Sequence, residues 1–507
     1  MIDKNSNQVI FAESDHEFID TLFSFLTLPL GTVIKLLEYK MVQLGSISYV
    51  YASVNSLEPR FLRTSYCKSM LIMPRNASEV QCEKLKLNVD YSENAGKLFD
   101  CNSYNPRCKN IFSISQNTQC FHCNRLRQFD RIINEKEEKR SCGGESVVEV
   151  FLKGGAASFM ITDDLQVMPA STASLTALFG KLGVSDKSEI EAKTVEVGTE
   201  EVFQLLKFSL LSKTALTNTV LNSQGRLKDI LKYEDNQTAK LNKKTKSQNT
   251  NQTAKLNKET MSQNTSQTAK VNKKTVSQNT NTMSLKLIVR KSEKKVLYAE
   301  AGVKLVDFLF SFLVFPLGAV VKHLGGNSRL GCIDNLYKGA ADLSSKNYIK
   351  SEECKNMLLS PKLFPHSGFD SHILEVEEEY PKYRYDDSGC IELVRNTNKS
   401  EGSSIVNEEE ASDLAINILD PKSPTGETIK GEGYLKGPAT FMIMDNLLVT
   451  PFSPTAIITL LNQMEVSASD VEERTVTVGK DEALNLLKAS LISKTVLNNV
   501  FNPKGYA

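Results

Sequence analysis

The chain has 507 residues, a formal net charge of +1 at pH 7, 24% charged residues and 40% hydrophobic residues. This composition is ordinary for a soluble globular protein, and the chain begins without the basic segment, apolar run and cleavage site of a secretory signal. These features argue against secretion, so we expect an intracellular protein of the cytoplasm or nucleus. Its ten cysteines are then reduced thiols or metal ligands.

Long strings occur twice in the chain, in the same order and at nearly the same spacing, which indicates that one module was duplicated. We predict a first module over residues 1–233 (the first copy) and a second over residues 284–507 (the second copy). Each is long enough to bury a core without a metal or a disulfide. The matched strings are Val9–Leu37 with Val296–Leu324, Ser158–Pro169 with Thr440–Pro451, and Leu205–Leu216 with Leu486–Leu497.

The first predicted element is a strand near Val9–Glu13. Met1 falls opposite Ile288 of the second copy, so the N-terminal strand is predicted to be truncated, with most of the first hairpin strand missing. The strand near Val9–Glu13 would then present an open edge able to accept another strand. The alternative is that this edge is frayed or covered.

The most apolar stretches are Phe18–Leu37 and its counterpart Leu305–Leu324. Each carries an aspartate near its start, a Pro-x-Gly break and a lysine near its end. An ionised aspartate costs roughly 2.5–3.5 kcal/mol within a membrane helix, and the break leaves fewer than the about 20 apolar residues that a spanning helix needs. We therefore predict a buried core helix followed by a turn, and no membrane partner.

Four cysteines of the first copy have the spacing C-x6-C-x11-C-x2-C, which is typical of metal ligands. They are Cys101, Cys108, Cys120 and Cys123. We predict that they hold a structural zinc ion, with His122 or Cys142 as a substitute for one ligand. The alternatives are free thiols in a variable loop and a redox pair. The corresponding region Tyr380–Arg395 keeps a single Cys390, so the module cannot require the metal to fold.

Residues 234–283 are predicted to form a disordered tether between the copies. Three 15-residue units rich in Asn, Gln, Thr, Ser and Lys occupy Asn236–Thr280, and they have too little apolar surface to form a core. Nine lysines and one glutamate give Asn236–Thr282 a local charge of +8. We expect a solvated spacer, with contact to nucleic acid or acidic lipid as the alternative.

The second copy shows the predicted elements most clearly, and their strands, hairpins and interspersed helices indicate an α+β fold with mostly antiparallel strands in each module. Asp445-Asn446 is predicted to be a two-residue turn that tolerates positive φ. The predicted elements are a hairpin of Leu285–Lys291 and Val296–Ala301, a helix over Leu305–Leu313, a helix over Ile333–Leu343 matched by Ile47–Leu57, strands Thr440–Met444 and Leu447–Thr450, a helix over Pro454–Met464, a strand over Arg474–Val478 and one long helix over Glu482–Phe501.

No catalytic set is common to the two copies. None of the five histidines matches across them, and no nucleotide-binding or nucleophile motif is present. We therefore predict no catalytic residue and no small-molecule substrate, and we expect structural roles for the acids and cysteines that do match. These are turn formation for Asp163 and Asp445, capping or buried hydrogen bonds for Glu13, Glu300, Asp20 and Asp307, and burial as small apolar side chains for Cys67 and Cys354.

Several strings resemble the plant-specific DUF674 family of uncharacterised proteins, in two tandem copies. The matching strings are Val296–Leu324, Gly331–Leu343 (GCIDNLYKGAADL), Lys436–Pro451 (KGPATFMIMDNLLVTP) and Val476–Phe501, with their first-copy equivalents. The resemblance implies a plant source and a loop containing CxxC, which Cys120 and Cys123 match. Asn124 stands where a ribbon-like turn favours Gly. The family offers no activity, substrate or catalytic residue to carry over.

Three functions remain in view. The first is a soluble, non-enzymatic interaction or scaffold protein with an unidentified protein partner and a structural zinc loop in the first module. The second is an enzyme whose site is lined by residues common to both copies. The third is nucleic-acid binding through the zinc loop and the basic tether. It is supported by the basic residues Arg107, Lys109, Arg125, Arg127 and Arg131 around the cysteines.

Overall fold

The structure is a computed structural model. It describes residues 1–38, 42–89, 96–108, 111–116, 118–135, 149–155, 157–182, 190–221, 282–368, 373–379, 382–385, 391–394, 417–423 and 433–502, without the side chains of residues 131–135, 382–385 and 391–394. Apart from Thr282 and Met283, the predicted tether lies outside the described residues, as do Cys142 and Cys390.

The chain folds into helices and short antiparallel sheets, which confirms the predicted α+β fold. The first copy contains β1 Ile2–Asp3, β2 Gln8–Val9, β3 Phe11–Ser14, α1 His16–Ser24, α2 Leu30–Glu38, α3 Ile47–Ser56, α4 Tyr66–Ile72, α5 Glu79–Cys82, β4 Lys97–Asp100, β5 Ile111–Phe112, β6 Thr118–Gln119, β7 Leu126–Arg127, β8 Phe129–Glu135, β9 Phe159–Thr162, β10 Val167–Pro169, α6 Thr172–Leu182, β11 Ile190–Glu191, α7 Thr199–Leu211 and α8 Ala215–Val220.

The second copy repeats the order of the main helices and of the strands in the larger sheet, and most of those strands are longer. It contains β12 Met283–Arg290, β13 Lys295–Gly302, α9 Val303–Ser311, α10 Leu317–His323, α11 Ile333–Asp342, α12 Glu352–Leu359, β14 Lys382–Tyr385, β15 Ile391–Val394, β16 Asn417–Ile418, β17 Thr440–Met444, β18 Val449–Pro451, α13 Pro454–Gln463, β19 Val471–Val478, α14 Lys480–Ile492 and α15 Val496–Phe501.

Each copy builds a sheet with the same strand order. In the second copy it is β18-β17-β13-β12-β19, antiparallel throughout. In the first copy β10-β9-β3 and β2-β1-β11 form the two parts of the equivalent sheet. Of the two alternatives for the edge near Val9–Glu13, the structure agrees with a covered edge over residues 8–11, because β1 pairs with β2 and the Met1 amino group donates to the Phe11 carbonyl at 2.8 Å.

The two apolar stretches are buried helical segments, as predicted. In the first copy α1 continues through the 3₁₀ turn Phe25–Thr27 towards α2, and α9 continues likewise through Phe312–Val314 towards α10. All residues of the ranges 19–31 and 305–321 are buried. Among the described residues, none of the helices has both the length and the apolar character required to cross a membrane.

These segments meet at their Pro-x-Gly breaks, in the centre of the molecule. Pro29 and Pro316 form an antiparallel β-bridge there. The Leu30 N–H donates to the Phe315 carbonyl at 2.9 Å, and the Leu317 N–H donates to the Leu28 carbonyl at 3.0 Å. Equivalent residues of the two copies therefore face each other across a local pseudo-twofold axis.

The copies also exchange helices around this axis. Helix α3 of the first copy packs against β18 of the second copy, and α11 of the second packs against β10 of the first. At the start of α3 the Ser46 hydroxyl donates to the Ser493 carbonyl at 2.6 Å. At the equivalent place before α11 the Cys332 thiol donates to the Ser212 carbonyl at 3.0 Å. Each copy thus covers the sheet of the other.

Isolated β-bridges also join the two copies outside these helices. Leu62 pairs with Leu435, and the equivalent residue Ile349 pairs with Leu152. One hydrophobic core includes buried side chains from both copies. The module boundaries stay a prediction, but the described residues of the two copies do not bury their apolar surfaces separately.

Two local predictions need correction. At the end of β17 the Met444 N–H donates to the Leu448 carbonyl at 2.9 Å, so the turn between these paired positions has three residues rather than two. Its positive φ of 62° belongs to Leu447, whose side chain is buried. The helix predicted over Glu482–Phe501 is broken between α14 and α15. The break occurs because the Val496 N–H donates to the carbonyl of Asp445 at 2.7 Å, instead of continuing the helical hydrogen bonds.

Candidate metal centre

The structure brings the four predicted cysteines together. Cys101 follows β4, Cys108 ends the 3₁₀ turn Pro106–Cys108, and Cys120 and Cys123 lie between β6 and β7. Their four Sγ atoms all lie within 4.8 Å of one another. The Cys108 and Cys120 sulfurs are 3.7 Å apart, and those of Cys101 and Cys123 are 3.5 Å apart. All four are free thiols.

A tight hairpin turn positions the C-x2-C pair. β6 and β7 pair through Gln119 and Leu126, the Cys120 N–H donates to the Arg125 carbonyl at 2.9 Å, and the Asn124 N–H donates to the Cys120 carbonyl at 2.8 Å. Asn124 has a φ of 59°, in the left-handed region that Gly and Asn tolerate best. Asn124 therefore fits the place where a ribbon-like turn favours Gly.

Arginine and backbone groups surround the sulfurs. The buried Arg127 donates from Nη2 to Cys120 Sγ at 3.1 Å and from Nη1 to the Ile111 carbonyl, which ties the hairpin to β5. Burial raises the pKa of the Cys101 and Cys108 thiols. Burial also acts to raise the pKa of Cys123, but hydrogen bonds from the Arg125 N–H and the neighbouring thiols outweigh it and lower this pKa to about 6. Cationic and N–H groups are typical neighbours of thiolate ligands.

The spacing of the sulfurs suits a tetrahedral metal ion. Metal–sulfur bonds of about 2.3 Å at tetrahedral angles place neighbouring sulfurs about 3.8 Å apart, close to the two distances observed. The four thiols can therefore bind a metal ion with little movement. Cys101, Cys108 and Cys120 are almost completely buried and Cys123 is half-buried, so an ion at the centre would be shielded from solvent.

The cysteines belong to a small lobe that both copies build. In this cysteine lobe, β4 pairs with β8, and β8 pairs in parallel with β15 of the second copy. β5 pairs in parallel with β16 of the second copy, and the Leu419 N–H donates to the Phe112 carbonyl at 2.8 Å. The buried apolar residues of the lobe are Val80, Leu98, Phe112, Ile114 and Phe364.

Comparison with protein families decides where this chain belongs. The model of a family described as a protein of unknown function, DUF674, matches residues 1–481. The chain belongs to the DUF674 family. The match runs through both copies and includes the four cysteines. Neither the curated proteins nor the solved structures include a match.

In this DUF674 protein the matched aspartates have structural roles. The buried Asp20 carboxylate accepts hydrogen bonds from the N–H groups of Val150, Phe151 and Leu152 at 2.9–3.2 Å. Asp307 accepts equivalent bonds from Tyr434 and Leu435. Burial raises the pKa of both carboxyls to about 7. The predicted buried hydrogen bonds are therefore present for both members of this pair.

The turn aspartates hold the last helix of each copy. The Asp163 carboxylate accepts from the Thr217 N–H at 2.7 Å and from its hydroxyl at 2.8 Å. The Asp445 carboxylate accepts from the Asn498 N–H and the Asn498 amide, both at 2.9 Å. These acids therefore join the hairpin turn to α8 or α15, a partner that the sequence pattern did not show.

The remaining predicted residues are scattered. Cys67 and Cys354 are buried, as expected of small apolar side chains. A cavity of about 250 Å³ lies in the second copy, beside Phe315, Leu363 and Ser367, and neither a cysteine nor a histidine lines it.

Sequence reasoning missed a buried polar cluster of the second copy. The Tyr434 hydroxyl donates to the Ser367 carbonyl, the Lys422 ammonium donates to the Gly368 carbonyl at 2.5 Å, and His366 Nε2 lies 3.0 Å from the Ile418 carbonyl oxygen. The first copy lacks the hydroxyl of this cluster, because Phe151 stands there where Tyr434 stands in the second copy. No repeat or motif could have signalled these contacts.

Proposed function

We propose that this DUF674 chain is a non-enzymatic binding and scaffold protein in which a structural zinc ion on Cys101, Cys108, Cys120 and Cys123 fixes the cysteine lobe as its interaction surface. The observation that carries the proposal is the convergence of these four sulfurs within 4.8 Å. Reduced thiolate ligands suit a reducing compartment, in agreement with the cytoplasm or nucleus.

Zinc is the metal that these ligands favour. Four thiolates in a tetrahedron select zinc or iron among the common biological metals. Four protein ligands also fill the coordination sphere, so the ion has no open position for water or substrate. Such a closed site stabilises structure and does not support hydrolysis.

The cysteine lobe needs a stabilising cross-link in addition to its apolar core. Its separate apolar core is small, and several of its strands have only two residues. Strands of this length contribute little stability alone. A metal that joins β4, the 3₁₀ turn and the β6–β7 hairpin would supply the cross-links that the core does not.

A non-catalytic role is supported by the way the matched acids are used. Asp20 and Asp307 are occupied by backbone N–H groups, and Asp163 and Asp445 by the last helix of each copy. The aspartates that recur in both halves therefore account for the fold. None of these four lines the cavity of the second copy.

Metal analysis of the purified full-length chain tests this function. We expect about one equivalent of zinc per chain, released by chelators with a fall in thermal stability. Cys120→Ser should lose the metal. His122→Ala and Cys142→Ser are matched controls that should keep it, because four cysteines already complete the site. Absorption in the visible region would reveal iron instead.

Two results would reject the proposal. One is a metal content below about half an equivalent that Cys120→Ser leaves unchanged. The other is turnover of a substrate that depends on the metal, since a closed site has no position for the reacting group.

A further inference from the structure

The cysteine lobe exposes an unusual amount of aromatic surface. Tyr104 is fully exposed at 101%, Phe129 is 49% exposed and Phe121 is 37% exposed. Among the residues that the structure describes, Phe452 is the only other phenylalanine or tyrosine ring classed as exposed. The lobe thus carries three of the four exposed rings, although it is a small part of the chain. Rings that only filled a core would not be placed in water.

Two of these rings come from the two loops that the sulfurs bring together, and Phe129 begins β8. Tyr104 lies between Cys101 and Cys108, while Phe121 lies between Cys120 and Cys123. The imidazole of His122 is exposed and lies tilted at 46° against the Phe121 ring, with a centroid distance of 4.1 Å.

The exposed charges of these loops are positive. Residues 101–129 contain no Asp or Glu. Arg107 and Arg125 are exposed, and Arg125 Nη1 lies 3.5 Å from the Asn102 carbonyl oxygen, so the arginine of one loop reaches the other. Arg127 is buried against Cys120 and contributes to the centre rather than to the surface. Lys109 lies outside the described residues, and the side chain of Arg131 is not described.

We infer that the cysteine lobe binds single-stranded nucleic acid, with Tyr104, Phe121 and Phe129 stacking on unpaired bases and Arg107 and Arg125 contacting phosphates. Aromatic platforms beside cations are the usual means of holding a single strand without strong sequence preference. The inference rests on the proposed function, because the metal holds the two loops in register.

A protein partner is the competing occupant, and the charge pattern argues against it. Protein interfaces are also enriched in aromatic residues and arginine, but residues 101–129 contain no carboxylate, so a partner with a continuous negative charge is the better complement. A surface with aromatic rings beside exposed arginines complements bases and phosphates together.

Fluorescence anisotropy with the full-length, metal-loaded chain tests the inference. The probes are labelled 15-nucleotide oligo(dT) and oligo(U), with a 15-base-pair duplex for comparison. We expect the single strands to bind more tightly than the duplex. Tyr104→Ala and Phe121→Ala should each weaken binding by about 5- to 100-fold. Phe452→Ala is the matched control, since it removes an exposed ring from the second copy and should have no effect.

Salt dependence tests the arginines. Because each phosphate contact releases counterions, Arg107→Ala or Arg125→Ala should reduce the slope of log affinity against log salt by about 0.7. A chain without Asn236–Thr282 separates the basic tether from the lobe, and it should still distinguish single strands from duplex. Poly-glutamate serves as an acidic polypeptide competitor and should compete poorly.

Several outcomes would overturn the inference. The first two are that a zinc-loaded chain does not bind at low salt, or that it binds duplex and single strand equally. The next two are that Tyr104→Ala and Phe121→Ala leave binding unchanged, or that removal of the tether alone abolishes all binding. The last is that poly-glutamate competes as strongly as oligo(dT). Zinc content is measured on the same samples. A zinc-loaded chain that fails to bind rejects only the nucleic-acid inference, whereas a chain without zinc rejects the proposed function.

Discussion

Leu62 of the first copy forms an antiparallel β-bridge with Leu435 of the second, and the Lys436 N–H donates to the Phe61 carbonyl at 2.8 Å beside it. The equivalent bridge joins Ile349 to Leu152. The two copies are therefore held by reciprocal exchange of the same segments, in the way that a domain-swapped dimer is held. The exchange governs how the chain should respond to being cut.

Separating the copies should leave one complex rather than two domains. We expect residues 1–221 and 282–507, co-expressed as separate chains, to purify as a stable 1:1 complex, because each half buries its exchanged helix in the other. Thermal stability should become dependent on concentration once the link is removed. Size-exclusion chromatography with light scattering measures this. Two folded monomers that do not associate would contradict the exchanged fold.

Close contact between the copies makes Gly331 irreplaceable. A Cβ atom there would lie 2.5 Å from the Ser209 carbonyl oxygen, and its φ is +38°. Gly331→Ala should cost on the order of 3–4 kcal/mol in unfolding free energy through clash and backbone strain. Gly325 also has a positive φ, of +63°, but a Cβ atom at this position would have no neighbouring atom within 4 Å. Gly325→Ala should therefore cost only about 1–2 kcal/mol. Equal losses in urea denaturation would disprove the close approach.

The carboxyl of Asp307 should make stability depend on pH near neutrality. Burial raises its pKa from 3.8 to about 7, so the folded state binds a proton that the unfolded state releases. Its contribution to stability is complete below about pH 4 and is lost as the pH rises through 7. Asp307→Asn should remove a slope of up to about 1.4 kcal/mol per pH unit from the unfolding free energy between pH 5 and 7.

The half-buried Asp470 supplies the control for this pH profile. Hydrogen bonds from Ser292 and the nearby Arg290 hold the pKa of Asp470 below its usual value, so Asp470→Asn should leave the slope between pH 5 and 7 intact. Urea titrations at several pH values measure all three proteins. If the wild type and Asp307→Asn have parallel profiles, the carboxyl is ionised throughout and the assignment fails.

The turn aspartates should contribute as helix caps. Asp445→Ala removes the acceptor for the Asn498 N–H and amide, and we expect a loss of about 1–2 kcal/mol. Asp445→Asn keeps an acceptor for the N–H and should lose roughly half as much. Hydrogen exchange of α15 measures the effect directly. Unchanged protection of α15 in Asp445→Ala would show that the turn does not hold this helix.

Much of the local structure follows from the sequence for clear reasons. Helical periodicity and the Pro-x-Gly breaks predict the buried segments around Pro29 and Pro316, and the alternation in Val296–Ala301 predicts a strand. The C-x2-C spacing of Cys120 and Cys123 identifies the hairpin that brings these thiols together. These signals are local, so one sequence is sufficient to detect them.

The exchange between the copies has no such local signal. Ser46 could equally well have met the Ser212 carbonyl of its own copy, because the two copies offer nearly identical partners. For the same reason the sequence did not reveal the hydrogen bond between Asp445 and Asn498 of α15, which are 53 positions apart. Similarly, nothing in β8 indicates that β15 of the other copy extends its sheet. A duplicated sequence offers each residue two nearly identical long-range partners, one in each copy, and does not distinguish between them.

The exchanged helices alter what a truncation of this chain would leave behind. A product ending near Leu221 would retain β10 but lack α11, the helix that packs against that strand, so it would be an unfinished sheet rather than a smaller working protein. The uncovered sheet of such a fragment would bind apolar surfaces of other molecules. A stop within the lysine-rich segment should therefore be as damaging as one at the start, and its product should be prone to aggregation.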